Sequence, residues 1–188
     1  MDLAIVRTVL MGGISPVVVA LLMCATVSPL GVPNANLPKM AVLHATITIT
    51  GGLTLTGTYD DRLTLATCAD DAKSGTSADG RGVRMFYVPI PPLNPDGNPG
   101  PVGGGHTFST DAAASPYHGP GTYTGSGLNA TQMDVDTPPG SQDTHIFAFP
   151  AIVGTLIVKP DASGSFQFDG LQDPGSVTIS GQVTWTCS

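Results

Sequence analysis

The sequence predicts an all-β protein, two packed antiparallel sheets forming a β-sandwich for which an immunoglobulin-like topology is one arrangement. Three observations carry this. Near the C-terminus, Val177, Ile179, Gly181, Val183, Trp185 and Cys187 share one parity while Thr178, Ser180, Gln182, Thr184 and Thr186 share the other, the period of a strand with one buried face. Elsewhere, 24 Gly and 17 Pro break the 188 residues into short runs, as turns between strands do. Finally, all 14 acidic residues are Asp and only 7 Lys and Arg oppose them, so long surface helices, which draw on Glu and Lys, are not expected.

Taken in order, residues 1–35 read as a signal peptide or a membrane anchor. Arg7 precedes the apolar-rich run that opens at Thr8, and no charged residue stands between Arg7 and Lys39. A cleaved export signal, a retained anchor of about 20 apolar residues and lipidation at Cys24 all remain open. Residues 36–188 form the single β-sandwich domain, about 155 residues being enough for one sizeable core.

Within it, AVLHATITIT (41–50) and LTLTGTY (53–59) alternate apolar residues with threonine around Gly51-Gly52, either a hairpin turn, the preferred reading, or a bulge in one long strand. RLTLATC (62–68) is expected to be a third strand, ADDAKSGTSADGRG (69–82) a loop, and VRMFYVP (83–89) a short strand. The Pro/Gly-rich stretch 90–105 reads as a long surface excursion, since its prolines cannot serve a helix or a central strand. HTFST, GTYTGS and ATQMDVD each offer a short strand between turns. THIFAFP (144–150) and GTLIVKP (154–160) read as neighbouring strands, and Pro160–Gly164 as the turn of a hairpin ending in the alternating Ser165–Asp169. Phe147, Phe149, Phe166, Phe168 and Trp185 are expected in the core.

With the N-terminal segment set aside, only Cys68 and Cys187 remain, so an exported chain has one intramolecular pairing. The bond closes roughly 120 residues, worth about 5 kcal/mol on the chain-entropy model. No C-x-x-C arrangement points to redox chemistry instead.

No motif asks for a cofactor or metal. His44, His106, His118 and His145 lack zinc-ligand spacing. Asp60-Asp61, Asp70-Asp71, Asp96-Gly97-Asn98 and Asp134-x-Asp136 supply hard oxygens for calcium but also suit ordinary turns, and none has EF-hand spacing. Ser109, Ser115 and Ser126 lie near His106 or His118 in sequence, without any nucleophile-turn motif. No catalytic residue is assigned. Tyr87, Tyr117 and Tyr123, flanking the Pro/Gly region, are the candidate exposed binding surface, because tyrosine presents rigid apolar area with a hydroxyl. A net charge of -7 and pI near 4.6 exclude a basic phosphate-binding stripe, and with it nucleic acid.

Val183-Thr184-Trp185-Thr186-Cys187-Ser188, with the earlier Cys68, resembles the terminal strand and cysteine partner of small secreted antigens and lipoproteins of mycobacteria and related actinobacteria. That resemblance covers about a tenth of the chain and implies a secreted or envelope β-sandwich without established catalysis; the Leu21-Leu22-Met23-Cys24 run matches their lipidation box only in part, Met23 standing where they have a small residue. The expectation is therefore an exported or cell-envelope protein with an interaction or structural role, its partner a macromolecule or cell-wall glycan, and membrane contact only through the N-terminal segment. A carbohydrate- or calcium-binding module is the alternative, and a small extracellular hydrolase a more remote one.

Overall fold

The computed structural model describes residues 40–63, 67–136, 144–149 and 153–188. The segment read as signal or anchor, with Cys24, lies outside them. Contacts gather Asn36–Ser188 into one unit.

The elements, in chain order, are β1 (Val42–Gly51), β2 (Leu55–Arg62), α1 (Cys68–Ser74), β3 (Ser77–Ala78), β4 (Arg84–Tyr87), β5 (Pro101–Gly103), β6 (His106–Thr110), β7 (Ala113–Ala114), β8 (Gly121–Tyr123), a 3-10 turn (Gly125–Gly127), β9 (Leu128–Asn129), β10 (Gln132–Asp136), β11 (Thr144–Ala148), β12 (Thr155–Val158), β13 (Gly164–Gln172) and β14 (Thr178–Cys187). The protein is all-β with two antiparallel sheets. The larger runs β2-β1-β14-β13-β11-β10-β6-β5, with β12 and β8 branching from β13; the smaller is β3-β4-β7-β9. Long β13 makes the branch: its first half pairs with β12 and its last residue, Gln172, with Ala148 of β11.

The larger sheet is nearly barrel-shaped. Its last strand, β5, comes back against its first, β2, where two glycines face each other's backbone. A Cβ on Gly57 would lie 2.2 Å from the Val102 carbonyl oxygen, and one on Gly103 2.3 Å from that of Thr56. No ladder joins β2 to β5 among the described residues; the seam is a close backbone approach that only glycine permits.

The period-two reading holds where strands are long. In β1, Leu43, Ala45, Ile47 and Ile49 are buried, and in β14 Ile179, Val183 and Trp185 are. Gly51-Gly52 sits at the turn of a true hairpin, Ile49 pairing with Leu55. The Pro160–Gly164 turn is likewise a hairpin turn: Asp161 Oδ1 accepts from the Ser163 N–H at 3.0 Å, and the buried Ala162 carbonyl accepts from Trp185 Nε1 at 2.7 Å. HTFST, GTYTGS and ATQMDVD supply β6, β8 and β10.

Other expectations are corrected. Of the expected strand 62–68, residues 64–66 lie outside the described residues, Arg62 ends β2 and Cys68 opens α1; the expected loop 69–82 holds most of that helix and β3. The reason is local capping: Thr67 Oγ1 accepts from the Asp70 N–H, two acidic residues occupy the first turn, Lys73 the last, and Gly75 follows. β11 and β12 are not paired neighbours but lie along the same edge of β13. The excursion 90–105 is only partly surface: it is exposed from Pro92 to Asn98, then returns as β5 with Val102 buried. β5 lies at an end of the strand path, where its proline is tolerated.

Both sheets contribute to one core. Phe86 of β4 packs on Trp185 of β14 at 6.3 Å between ring centroids and on Tyr117 at 5.3 Å. Phe86, Phe108, Phe147 and Phe166 are fully buried. Cys68 and Cys187 form the disulfide, Cα atoms 5.9 Å apart, tying α1 to the last strand.

Candidate functional site

The tyrosines singled out from the sequence do not make a surface. Tyr117 and Tyr123 are buried and stacked at 5.5 Å, and Tyr87 is half-buried with its hydroxyl donating to the Met85 sulfur. Desolvation, and secondly the charges of Tyr123 and Asp71, push the Tyr117 phenol upward. Phe147, Phe166, Phe168 and Trp185 are core, with Phe149 partly buried against it.

The polar concentration lies instead on the outer face of β2-β1-β14-β13. Alternation sends threonines outward on neighbouring strands, and the registers align them in rows. One row is Thr58, Thr46, Thr184, Ser165; the next is Thr56, Thr48, Gln182, Gln167. With strands about 4.8 Å apart, each row spans roughly 14 Å. Neither row contains a charge. An open hollow of about 720 Å³ runs along the first row between His44–Asp60 and Lys159, and another of about 520 Å³ along the second beside Gly154 and Thr155.

At one end of this face three side chains form a chain of hydrogen bonds. His44 Nδ1 lies 2.7 Å from Asp60 Oδ1, and His44 Nε2 lies 2.9 Å from Ser188 Oγ. The β1–β2 register puts His44 opposite Asp60. Ser188 extends β14 by one residue, exchanging both backbone hydrogen bonds with Val42 at 3.0 Å each. All three residues are exposed. Counting back from a two-residue Gly51-Gly52 turn pairs His44 with Tyr59; the connection is longer, Ile49 facing Leu55, and this brings Asp60 opposite His44. Ser188 depends on β1 meeting β14, a pairing that no local pattern announces.

The remaining candidates are dispersed. His106 Nδ1 lies 3.0 Å from the Asp136 carbonyl oxygen, His118 is exposed, and Asp111 accepts from the Thr131 hydroxyl. His145 Nδ1 sits 2.7 Å from Asp173 Oδ2, a bond that, first among several, holds the Asp173 carboxyl below its ordinary range. Asp70 Oδ2 accepts from the hydroxyl of Thr67, the N-cap of α1, Asp134 and Asp136 accept from Ser109 and Thr107, and Asn94 caps the Asp96 turn. Among the described residues, no three His, Cys, Asp or Glu side chains converge as a metal site would require, and no helix is long and apolar enough to cross a membrane. Ser109, Ser115 and Ser126 make no hydrogen bond to a histidine among the described contacts.

Asp71 stands apart. It is 2% exposed, its Oδ2 has no hydrogen-bond partner among the described residues, and burial, followed by the nearby Asp61 charge, pushes its carboxyl up to about 6. Burial raises Asp61 as well.

No family model, no curated protein and no solved structure matches this chain.

Proposed function

We propose that the chain is an exported or envelope-associated binding protein whose outer β2-β1-β14-β13 face takes up a neutral cell-wall glycan. The two charge-free rows of hydroxyl and amide groups, each with an open hollow beside it, carry this reading. Such groups both donate and accept, which suits a polyhydroxylated ligand. A protein partner would favour an aromatic or apolar centre, and the rows contain neither. A polyanion is disfavoured by the net charge of -7. Export is supported by the Cys68–Cys187 bond, since structural disulfides persist in oxidising compartments. The calcium version lacks a converging ligand set among the described residues. As for the scaffold, immunoglobulin-like connectivity finds no specific support in a sheet that curls almost closed.

Without a stacking aromatic on the rows, affinity rests on hydrogen bonds worth about 1 kcal/mol net each, so dissociation constants of about 0.1–1 mM are expected. The test is calorimetric titration with neutral hexasaccharides of glucan, mannan and N-acetylglucosamine. Binding of at least one, lost in Thr46→Lys/Gln182→Lys, is the expected result. Equal binding by wild type and variant, or none of the three bound, overturns the reading.

A further inference from the structure

We propose that Ser188, His44 and Asp60 form a nucleophilic site for carboxylic esters at the end of the threonine face. The arrangement has the order that activates a serine: a hydroxyl 2.9 Å from one imidazole nitrogen and a carboxylate 2.7 Å from the other. With Nδ1–H donating to Asp60, Nε2 carries the lone pair and accepts the Ser188 proton, the tautomer a general base needs. All three positions are fixed by backbone ladders, His44 opposite Asp60 across β1–β2 and Ser188 doubly bonded to Val42. Rigid strands hold such a constellation better than loops do.

The chemistry closes without a co-reactant other than water. Ser188 Oγ bonds to the ester carbonyl carbon as its proton passes to His44 Nε2. The tetrahedral adduct then expels the alcohol oxygen, which takes that proton, leaving acyl-Ser188. Water, deprotonated by His44, attacks the acyl carbon; the Ser188 Oγ–carbon bond breaks, Ser188 regains the proton and a carboxylic acid departs. Asp60 is a positioning residue, acting through His44.

Stabilisation of the oxyanion sets the substrate range. The Ser188 N–H is already given to Val42, and among the described residues Lys159 is the one lysine or arginine lining the adjacent hollow. Lack of a preorganised backbone donor costs on the order of 10²–10³ in rate. The site therefore suits esters with good leaving groups and not amides.

This inference goes beyond the glycan reading, and its test uses no glycan, so the two fail separately. The full, disulfide-bonded chain is treated with a fluorophosphonate, whose phosphorus takes the Ser188 Oγ while fluoride leaves with the proton. Intact mass and peptide mapping should show one adduct, on Ser188. Ser188→Ala should carry none, and His44→Gln should slow labelling by about 100-fold with unchanged near-UV circular dichroism. Asp60→Asn should slow labelling by about tenfold, and Asp60→Glu should restore most of it. Hydrolysis of 4-nitrophenyl acetate should follow the same ranking. No adduct on Ser188 under excess reagent, or an equal labelling rate in His44→Gln, overturns the proposal.

Discussion

The side of the molecule made by β2-β1-β14-β13 and the side made by β3-β4-β7-β9 with α1 obey different rules. The first consists of strands of eight to ten residues that send one parity inward and the other to solvent, β13 switching parity at a bulge between Phe168 and Leu171. The second is assembled from strands of two to four residues and one short helix. Hydroxyl groups solvate the first without strain. The second buries Asp71 with an orphan oxygen and Tyr117 donating to the Ala72 carbonyl. In the long-strand half, alternation suffices to determine structure; in the short-strand half, each segment is held by what it packs against.

The Cys68–Cys187 bond joins these two halves, and breaking it should have the largest effect. Cys68→Ser/Cys187→Ser is expected to lose about 5 kcal/mol, which for a chain of this size lowers Tm by about 10–20 °C. Thermal scans under non-reducing conditions measure this. A shift under about 3 °C would mean the short-strand half is anchored by its packing alone.

Asp71 tests the electrostatic cost of that half. Its folded-state value of about 6 lies above the ordinary carboxylate value, so the folded protein holds an extra proton between roughly pH 4 and pH 6. Stability from this group is full below about pH 4 and is lost as pH rises through about 6, by about 3 kcal/mol. Asp173 has the opposite sign: its depressed carboxyl stabilises at neutral pH, and the gain disappears as pH falls below the ordinary carboxylate range. Urea midpoints from pH 4 to 7.5 should fall for wild type and stay flatter for Asp71→Asn, which should also be the more stable at pH 7.5, by about 1–2 kcal/mol. Parallel curves would remove Asp71 as the cause.

A smaller effect is expected where the large sheet closes. Gly57→Ala places a methyl group against the Val102 carbonyl and should cost about 1–3 kcal/mol. Gly80→Ala, with open space around it, is the control and should change stability by less than about 0.5 kcal/mol. Equal denaturation midpoints would show that β5 does not seal the sheet against β2.

How legible each half was in the sequence follows from the same division. Strict alternation from Val177 to Cys187 and from Ala41 to Thr50 located β14 and β1, their buried faces and the outward threonines. The single cysteine pair followed from the residue inventory. In the other half, Thr67-Cys68-Ala69-Asp70 carries a helix cap that the preceding leucine–threonine alternation masked. Tyr117 and Tyr123 sit among polar, proline- and glycine-rich neighbours, and the contacts that accompany their burial are non-local, Tyr117 packing on Phe86 of β4 and Tyr123 stacking on Tyr117. Pro101-Val102-Gly103 looks like loop composition, yet a sheet end that must approach another strand's backbone needs glycine. Of the candidate site, the threonine faces were visible strand by strand, but their alignment into rows depends on pairing β1 with β14, whose partner residues lie more than a hundred positions apart.

The most direct test of the claim that the long-strand half presents the functional face is an amide chemical-shift titration with whichever neutral hexasaccharide binds. The expected shifts concentrate at Thr46, Thr48, Gln182, Thr184, Ser165 and Gln167 and saturate together, with β3, β4, β7 and β9 unchanged. Shifts centred on the short-strand half, or on the exposed Pro92–Asn98 turn, would contradict it.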